Sequence, residues 1–582
     1  MKPATVVVLL AALAVAALFI WETRILTPVA IDDAYITFSY SKNLATGHGP
    51  VYGHGERVEG YSNFLWMVAV ALGLLVSPRG ADPLLVARAT AIPFVALLGF
   101  ATYRLARARA SRVLSIAVLV VLALAADVGT AFLMGLETLP AMAFLMLGFW
   151  LYVRSIGADA TAGDDVDRAR LGRWVVPAFV GVALSRIDGF IPLGFILGFE
   201  ALRRLLRREG SIRDYVVWAA PGVLVYGIWF LWRWRYYGLP LPTTYYAKAL
   251  IPKLLPHRGW EYIRDEMGAN GSLALVPLAL LALAARKRLA ALLLLVFAAL
   301  HLAYVRRAGG DWMPYGRFVL PLLPVGLVLT AWGGQWIADA LGRVDGARLA
   351  ERSPSREGSG TLPGFPTRRR LGRASLVLLL VPLAAMAFVV HRTERHITTE
   401  PLQQMKLALA AEQGSHVKNL KAAARILTWA LPPGARLVTD YGGIFAYYTD
   451  AAPIEMWGLC NAAIARRGGT ERVNPIYGRT CPECYPALAP QFFHVMVPIV
   501  RDLAAFHSHF EVVASVWQTD TIGRYMDFSR GFVTGRVMVP AHDQAVYFLE
   551  HRNPGASYRP RQVNDWVTID YPFEPMGRAP GL

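Results

Sequence analysis

The sequence predicts an α-helical polytopic membrane bundle of about eleven spans followed by an extracytoplasmic α/β domain. Three observations predict it. Hydrophobic residues make up 55% of the 582 residues and charged residues only 17%, below the roughly 25% of soluble domains. Long apolar runs recur through the first two-thirds of the chain and then stop. Lysine and arginine gather in short loops between those runs, as expected of loops left on the cytosolic side. That placement makes the net charge of +18 a topology signal and argues against a nucleic-acid partner.

Residues 4–21 form the first span, with Lys2 inside; no small-residue cleavage site follows the apolar run, so it reads as an uncleaved anchor. Residues 61–77 and 84–103 are both apolar. Were both to cross, Arg104, Arg107, Arg109 and Arg112 would lie outside. The charge rule therefore lays 61–77 along the outer interface or makes it re-enter, with Tyr61, Phe64 and Trp66 as anchors, and makes 84–103 the second span. The remaining spans, near 113–127, 138–153, 174–187, 190–205, 215–235, 272–285, 290–305, 318–337 and 374–390, then alternate in direction. A Ser/Gly/Pro-rich stretch at 340–373, carrying Arg368, Arg369 and Arg370, reads as a flexible cytoplasmic loop. The expected domains are 1–390 in the membrane and 391–582 outside it. The outer part shows helical patterning at 402–430 and strand-like runs at 435–439 and 510–514. Cys481 and Cys484 have the spacing of a local disulfide if the tail meets an oxidising compartment; a zinc site with Cys460 and His494 lacks a second Cys pair.

This topology collects the unusual residues on one side. The first outer loop opens on Asp32 and Asp33 and contains Glu59. Later outer loops carry Glu137, then Arg186 and Asp188, then Tyr246 and Lys248, and finally Arg306, Arg307, Asp311, Trp312, Tyr315 and Arg317. Arginines outside break the charge rule, and a lipid phosphate is their natural partner. Pairing with Asp188, Asp311 or headgroups is the alternative.

The stretch DDAYITFSYSKNLATGHGPVYGHGERVEGYSNFLW resembles the first outer loop of bacterial GT-C-fold, polyprenyl-phosphate-sugar-dependent glycosyltransferases. MGLET, SRIDGF, YGLPLPTTYYAK and GGDWMPYGRFVLP look like later motifs of the same group. The pattern is distantly similar to that of mycobacterial terminal arabinofuranosyltransferases, departing from it at Gly60-Tyr61-Ser62-Asn63 and Trp312-Met313-Pro314-Tyr315. The resemblance implies helices lying along the membrane in the first outer loop. It implies a polyprenyl-phosphate-linked sugar donor and a cell-envelope glycan or glycolipid acceptor. Such an enzyme sits in the bacterial cytoplasmic membrane with its site on the outer side.

On that reading Asp32 is the general base of an inverting transfer, with Asp33 second for the role or as its orienting partner; capping of the helix that follows is the structural alternative for Asp32. Arg306, Arg307, Arg317, Lys248 and Arg186 are the donor-phosphate candidates. Glu59, Glu137, Asp188, Tyr246, Asp311, Trp312 and Tyr315 are the sugar or acceptor candidates, each with a structural alternative. No metal motif is present, so the expected chemistry needs neither metal nor cofactor. A flippase for a lipid-linked glycan and a non-catalytic glycan-binding anchor are the rival readings. The first calls for mid-membrane charges and repeat symmetry, and neither is evident.

Overall fold

The computed structural model describes residues 3–25, 30–53, 56–157, 165–248, 257–269, 271–285, 288–311, 313, 316–351 and 381–392. Beyond those it describes 420–421, 424, 428, 434, 436–439, 441–467, 473–474, 478–479, 484, 488, 492–494, 510–519, 536–538, 543–551, 560–564 and 567–570.

The membrane part is helical throughout. Its elements are α1 (Pro3–Ile25), α2 (Asp32–Ala45), α3 (Phe64–Val76), α4 (Pro83–Arg107), α5 (Arg112–Leu124), α6 (Ala126–Leu133), α7 (Thr138–Ser155), α8 (Asp165–Gly172), α9 (Val175–Ser185), α10 (Phe190–Arg207), α11 (Ile212–Tyr237), α12 (Thr243–Lys248), α13 (Arg258–Ala269), α14 (Val276–Leu281), α15 (Leu289–Ala308) and α16 (Leu322–Glu351), followed by α17 (Val381–Arg392). Local chemistry marks the boundaries. Asp82 caps α4 through the Leu84 amide (2.9 Å), with Pro83 in the first turn. Ser211 and Asp214 form a reciprocal capping box at α11, which ends on Gly238 in the left-handed region.

Each expected span meets a helix, but not each helix is a full crossing. Among the described residues four helices are long and apolar enough to cross a bilayer: α4, α7, α11 and α15. Six qualify if the α5–α6 pair, bent by 52°, and the pair Arg258–Gly268 with Ser272–Ala284, bent by 76°, each count as one. Some of the expected spans meet short helices: α9 has 11 residues, and the apolar helix α17 is also short. The chain is nonetheless a multi-pass membrane protein by the composition of its surface. Helix α11 leaves Val217, Leu224, Ile228 and Leu231 more than 60% exposed, a face that only lipid or another apolar surface suits. Residues 340–351, placed in the flexible loop by the sequence, continue α16 to Glu351, because Ala, Leu and Arg there are good helix formers; the rest of that loop lies outside the described residues.

The expected strand at 435–439 is β1 (Arg436–Thr439). It pairs in parallel with β2 (Ala452–Glu455) and β5 (Phe492–His494), and α18 (Gly442–Tyr448) is the crossover between β1 and β2. After α19 (Ala462–Arg467) comes a short hairpin, β3 (Val473–Asn474) and β4 (Gly478–Arg479). The strand expected at 510–514 opens β6 (Phe510–Thr519). It lies in a second sheet with β7 (Arg536–Met538), β8 (Asp543–His551), β9 (Pro560–Asn564) and β10 (Val567–Asp570), in the order β8-β6-β7-β10-β9. Most of the helical pattern at 402–430 falls outside the described residues.

Three apolar cores matter for function. One fills the bundle, where Leu105, Leu114, Phe149, Phe179, Phe297 and Val325 are buried. The second joins Tyr35, Phe38, Trp66 and Leu84 to Leu437, Ile444 and Phe445. The third joins Tyr40, Tyr52, Tyr61 and Ala247 to Val438, Trp457, Cys460 and Ile464. The segment 436–467 is thus packed into the first outer loop and shares its cores.

Candidate active site

Helix α2 presents two different faces at its first turn. Asp32 is the first helical residue and Ile31 the cap, so Asp32 does not cap its own helix. Its carboxylate accepts instead from the amides of Gly443 (2.9 Å) and Ile444 (2.8 Å), the start of α18. The approach is close: a Cβ on Gly443 would overlap the Asp32 carbonyl oxygen, and one on Gly442 would overlap the side chain of Glu455. Both glycines are there for contact and not for phosphate. Burial pushes the Asp32 carboxyl up to about 7; the two amides oppose the shift and the charge of Asp33 adds to it.

Asp33 leaves α2 about 100° further round the helix. It makes no hydrogen bond or ion pair among the described residues. Burial raises its pKa, Lys248 and Arg317 pull it down, and Asp311 and Glu137 push it up. Thr37, one turn on, shares the Asp33 face. Asn63 stands at the cap of α3 but does not cap it. Its amide nitrogen reaches both Thr37 Oγ1 (3.1 Å) and Glu137 Oε2 (3.0 Å).

Glu137 then meets two arginines, Arg186 (3.4 Å) and Arg317 (3.8 Å). Arg186 is held bidentate by Asp188 through Nε–Oδ1 and Nη2–Oδ2, both 2.9 Å, and lies over the Phe318 ring. Burial pushes the Asp188 carboxyl up, and Arg186 more than offsets it, so the net shift is downward. Arg317 is held by Asp311 at 2.7 Å. Five of the expected residues, Glu137, Arg186, Asp188, Asp311 and Arg317, therefore form one buried, ion-paired network of three carboxylates and two guanidiniums, and Asp33 and Lys248 border it. Lys248 makes no ion pair or hydrogen bond among the described residues.

Others are placed elsewhere. Arg306 and Arg307, at the end of α15, are exposed and make no ion pair among the described residues. Glu59 is locked to Arg233 of α11, whose Nη1 also donates to the Pro240 carbonyl (2.7 Å). That buried pair ties the first outer loop to the loop before α12. Tyr246 packs edge-on against Tyr245 beside the third core. Trp312 and Tyr315 lie outside the described residues. Cys484 is disulfide-bonded and Cys460 is a free, buried thiol, so neither is an open zinc ligand.

Two functional-looking residues escape a reading of the sequence. Arg233 sits near the end of α11, in the run Trp232-Arg233-Trp234-Arg235, where its charge looks like part of the interfacial set. Glu455 is 1% exposed and accepts amide hydrogens from Trp457 (2.8 Å), Leu459 and Cys460 (3.2 Å). Burial pushes its carboxyl up to about 8, against those three amides. The acid followed by Met456-Trp457-Gly458 gives no spacing signal at all.

No protein-family profile matches the chain. A terminal β-(1→2)-arabinofuranosyltransferase of Corynebacterium glutamicum is 30% identical over 334 residues, covering 51% of this chain and 47% of that protein. The enzyme of the same name from Mycobacterium tuberculosis is 29% identical over 244 residues, covering 40% and 37%. The chain thus spans half or less of the length of these curated relatives. Among solved structures, ArnT from Cupriavidus metallidurans in the apo state superposes with a TM-score of 0.51 at 12% identity, covering 94% of this chain and 98% of that one. The same protein bound to undecaprenyl phosphate gives 0.50 at 13% identity. The outer-loop motifs and the superposition agree: this chain has the GT-C fold, and its relatives by sequence are terminal arabinofuranosyltransferases.

Proposed function

We propose that the protein is an inverting glycosyltransferase that moves a sugar from a polyprenyl-phosphate carrier to a cell-envelope glycan or glycolipid, at the non-cytosolic face of the cytoplasmic membrane. One observation carries the reading. At the rim of a buried network whose two arginines are each held by carboxylates, Asp33 and Lys248 are opposite in sign, electrostatically coupled, and without a hydrogen bond or ion pair among the described residues. A site that must take a proton at one point and hold a phosphate at another needs that pair.

In this reaction Asp33 removes the proton of the acceptor hydroxyl. The acceptor oxygen bonds to the anomeric carbon from the face opposite the phosphate. The C–O bond to the carrier breaks, and its electron pair leaves on the polyprenyl phosphate. Lys248, backed by the Arg317 guanidinium, offsets the charge that builds there. Asp33 is preferred to Asp32 because both Asp32 oxygens are occupied by amides. The exposed Arg306 and Arg307 are kept for the carrier's approach from the lipid side. The names of the relatives make an arabinofuranosyl donor the first to try.

Purified Asp33→Asn enzyme is expected to lose transfer by about 10²- to 10⁴-fold while still binding polyprenyl phosphate. Asp32→Asn is expected to keep more of the rate and to lose stability, since one amide is left facing an NH₂ group. Near-normal turnover by Asp33→Asn removes it as the base.

A further inference from the structure

Asp33 and Lys248 belong to the membrane part, yet contacts that hold their helices come from the C-terminal segment. Lys248 ends the six-residue helix α12, which begins at the fully buried Thr243. The Thr243 amide donates to the Glu59 carbonyl (3.0 Å), and its hydroxyl is placed between the carbonyls of Glu59 (2.8 Å) and Leu459. Leu459 is in turn held by Glu455, which draws the amides of Trp457, Leu459 and Cys460 onto one carboxylate. Ala247 is buried in the core that contains Cys460, Ile464 and Ala465. Helix α12 therefore rests on the loop that Glu455 folds. The other end of the same segment, Gly442 to Ile444, holds Asp32 and with it the first turn of α2. Gly442 is in contact with Glu455, so the two holds are adjacent.

We infer that Glu455 and Thr243 are positioning residues for the donor phosphate: the loop Trp457–Cys460, organised by Glu455, seats Thr243 and so fixes Lys248 opposite Asp33. The spacing of base and phosphate cation is then set by residues 442–460 and not by the packing of the spans. A small displacement of Lys248 weakens phosphate binding although no atom that touches the phosphate has been changed. This inference rests on the reading of Lys248 given above.

A double-mutant cycle on the full-length protein tests it, with undecaprenyl phosphate as the probe and equilibrium binding as the readout. Lys248→Ala is expected to weaken binding about tenfold or more. Thr243→Val, which keeps shape and removes the hydroxyl, is expected to weaken it about tenfold, and Thr243→Ser to restore it. In the Lys248→Ala background Thr243→Val is expected to add nothing, because its effect passes through the lysine. Glu455→Gln is expected to follow the same pattern. If Lys248→Ala weakens binding while Thr243→Val has no effect, or an effect that simply adds to it, the inference falls and the reading of Lys248 stands. If Lys248→Ala leaves binding unchanged, both fall.

Discussion

Adjacent aspartates at a helix start are chemically equal until their partners are counted. Asp32 accepts from the start of a helix 411 residues away; Asp33 is electrostatically coupled to Lys248 and Arg317 and makes no hydrogen bond among the described residues. The consequence is a pH dependence. Burial raises the Asp33 pKa above its ordinary value near 4. The base works when deprotonated, so kcat/KM should rise with pH along an acid limb whose midpoint lies above the usual carboxylate range. The limb reports Asp33 together with Asp32, since the two interact. Lys248 holds Asp33 down, so Lys248→Ala should move the limb to higher pH as well as weaken donor binding. A limb that stays in place in that variant would show that the two groups are not coupled in the working enzyme. The sequence shows that this pair is unusual but not which member is free, because the deciding amides come from a remote part of the chain. The same holds for Arg233 and Glu59, each of which neutralises the other across 174 residues.

At the scale of elements, the contact of α2 with α18 is glycine-made. The Gly443 position has no room for a side chain against α2, whereas Gly268, within α13, has nothing within 4 Å of an added Cβ. Gly443→Ala should therefore destabilise the purified protein by about 1–3 kcal/mol or more through overpacking, and should depress transfer by moving Asp32. Gly268→Ala should be neutral or stabilising by up to about 1 kcal/mol through helix propensity. Thermal unfolding in detergent followed for both variants checks the pair; equal midpoints would mean that α2 and α18 are not in close contact. Element existence was legible: the apolar runs became helices, and the strands at 435–439 and 510–514 were found. Helix length and straightness were not, because a run apolar enough for a crossing also suits a short or bent helix buried among others. That is the case for α5 with α6, bent by 52°, and for the 11 residues of α9.

For the whole molecule, the decisive matter is which side of the membrane holds the network. The charge pattern places Arg203, Arg204 and Arg207 at the end of α10 in the cytosol, and they stand beside Glu200 and Glu209. Asp33, Lys248 and the exposed Arg306 belong to the opposite loops. Cysteine labelling separates the two with little background. The native thiol Cys460 is 1% exposed and Cys484 is disulfide-bonded, and a parent-chain control sets the remaining background. Thr46→Cys, at the exposed end of α2, and Arg306→Cys should react with a membrane-impermeant maleimide in intact cells, and Arg207→Cys only after permeabilisation. Both outer positions are exposed and lie outside the catalytic network, so transfer should survive in Thr46→Cys and certify the fold being labelled. Labelling of Arg207→Cys in intact cells, with Thr46→Cys silent, would invert the topology. A cytosolic network would face nucleotide sugars, and the need for a lipid-delivered donor would disappear with it.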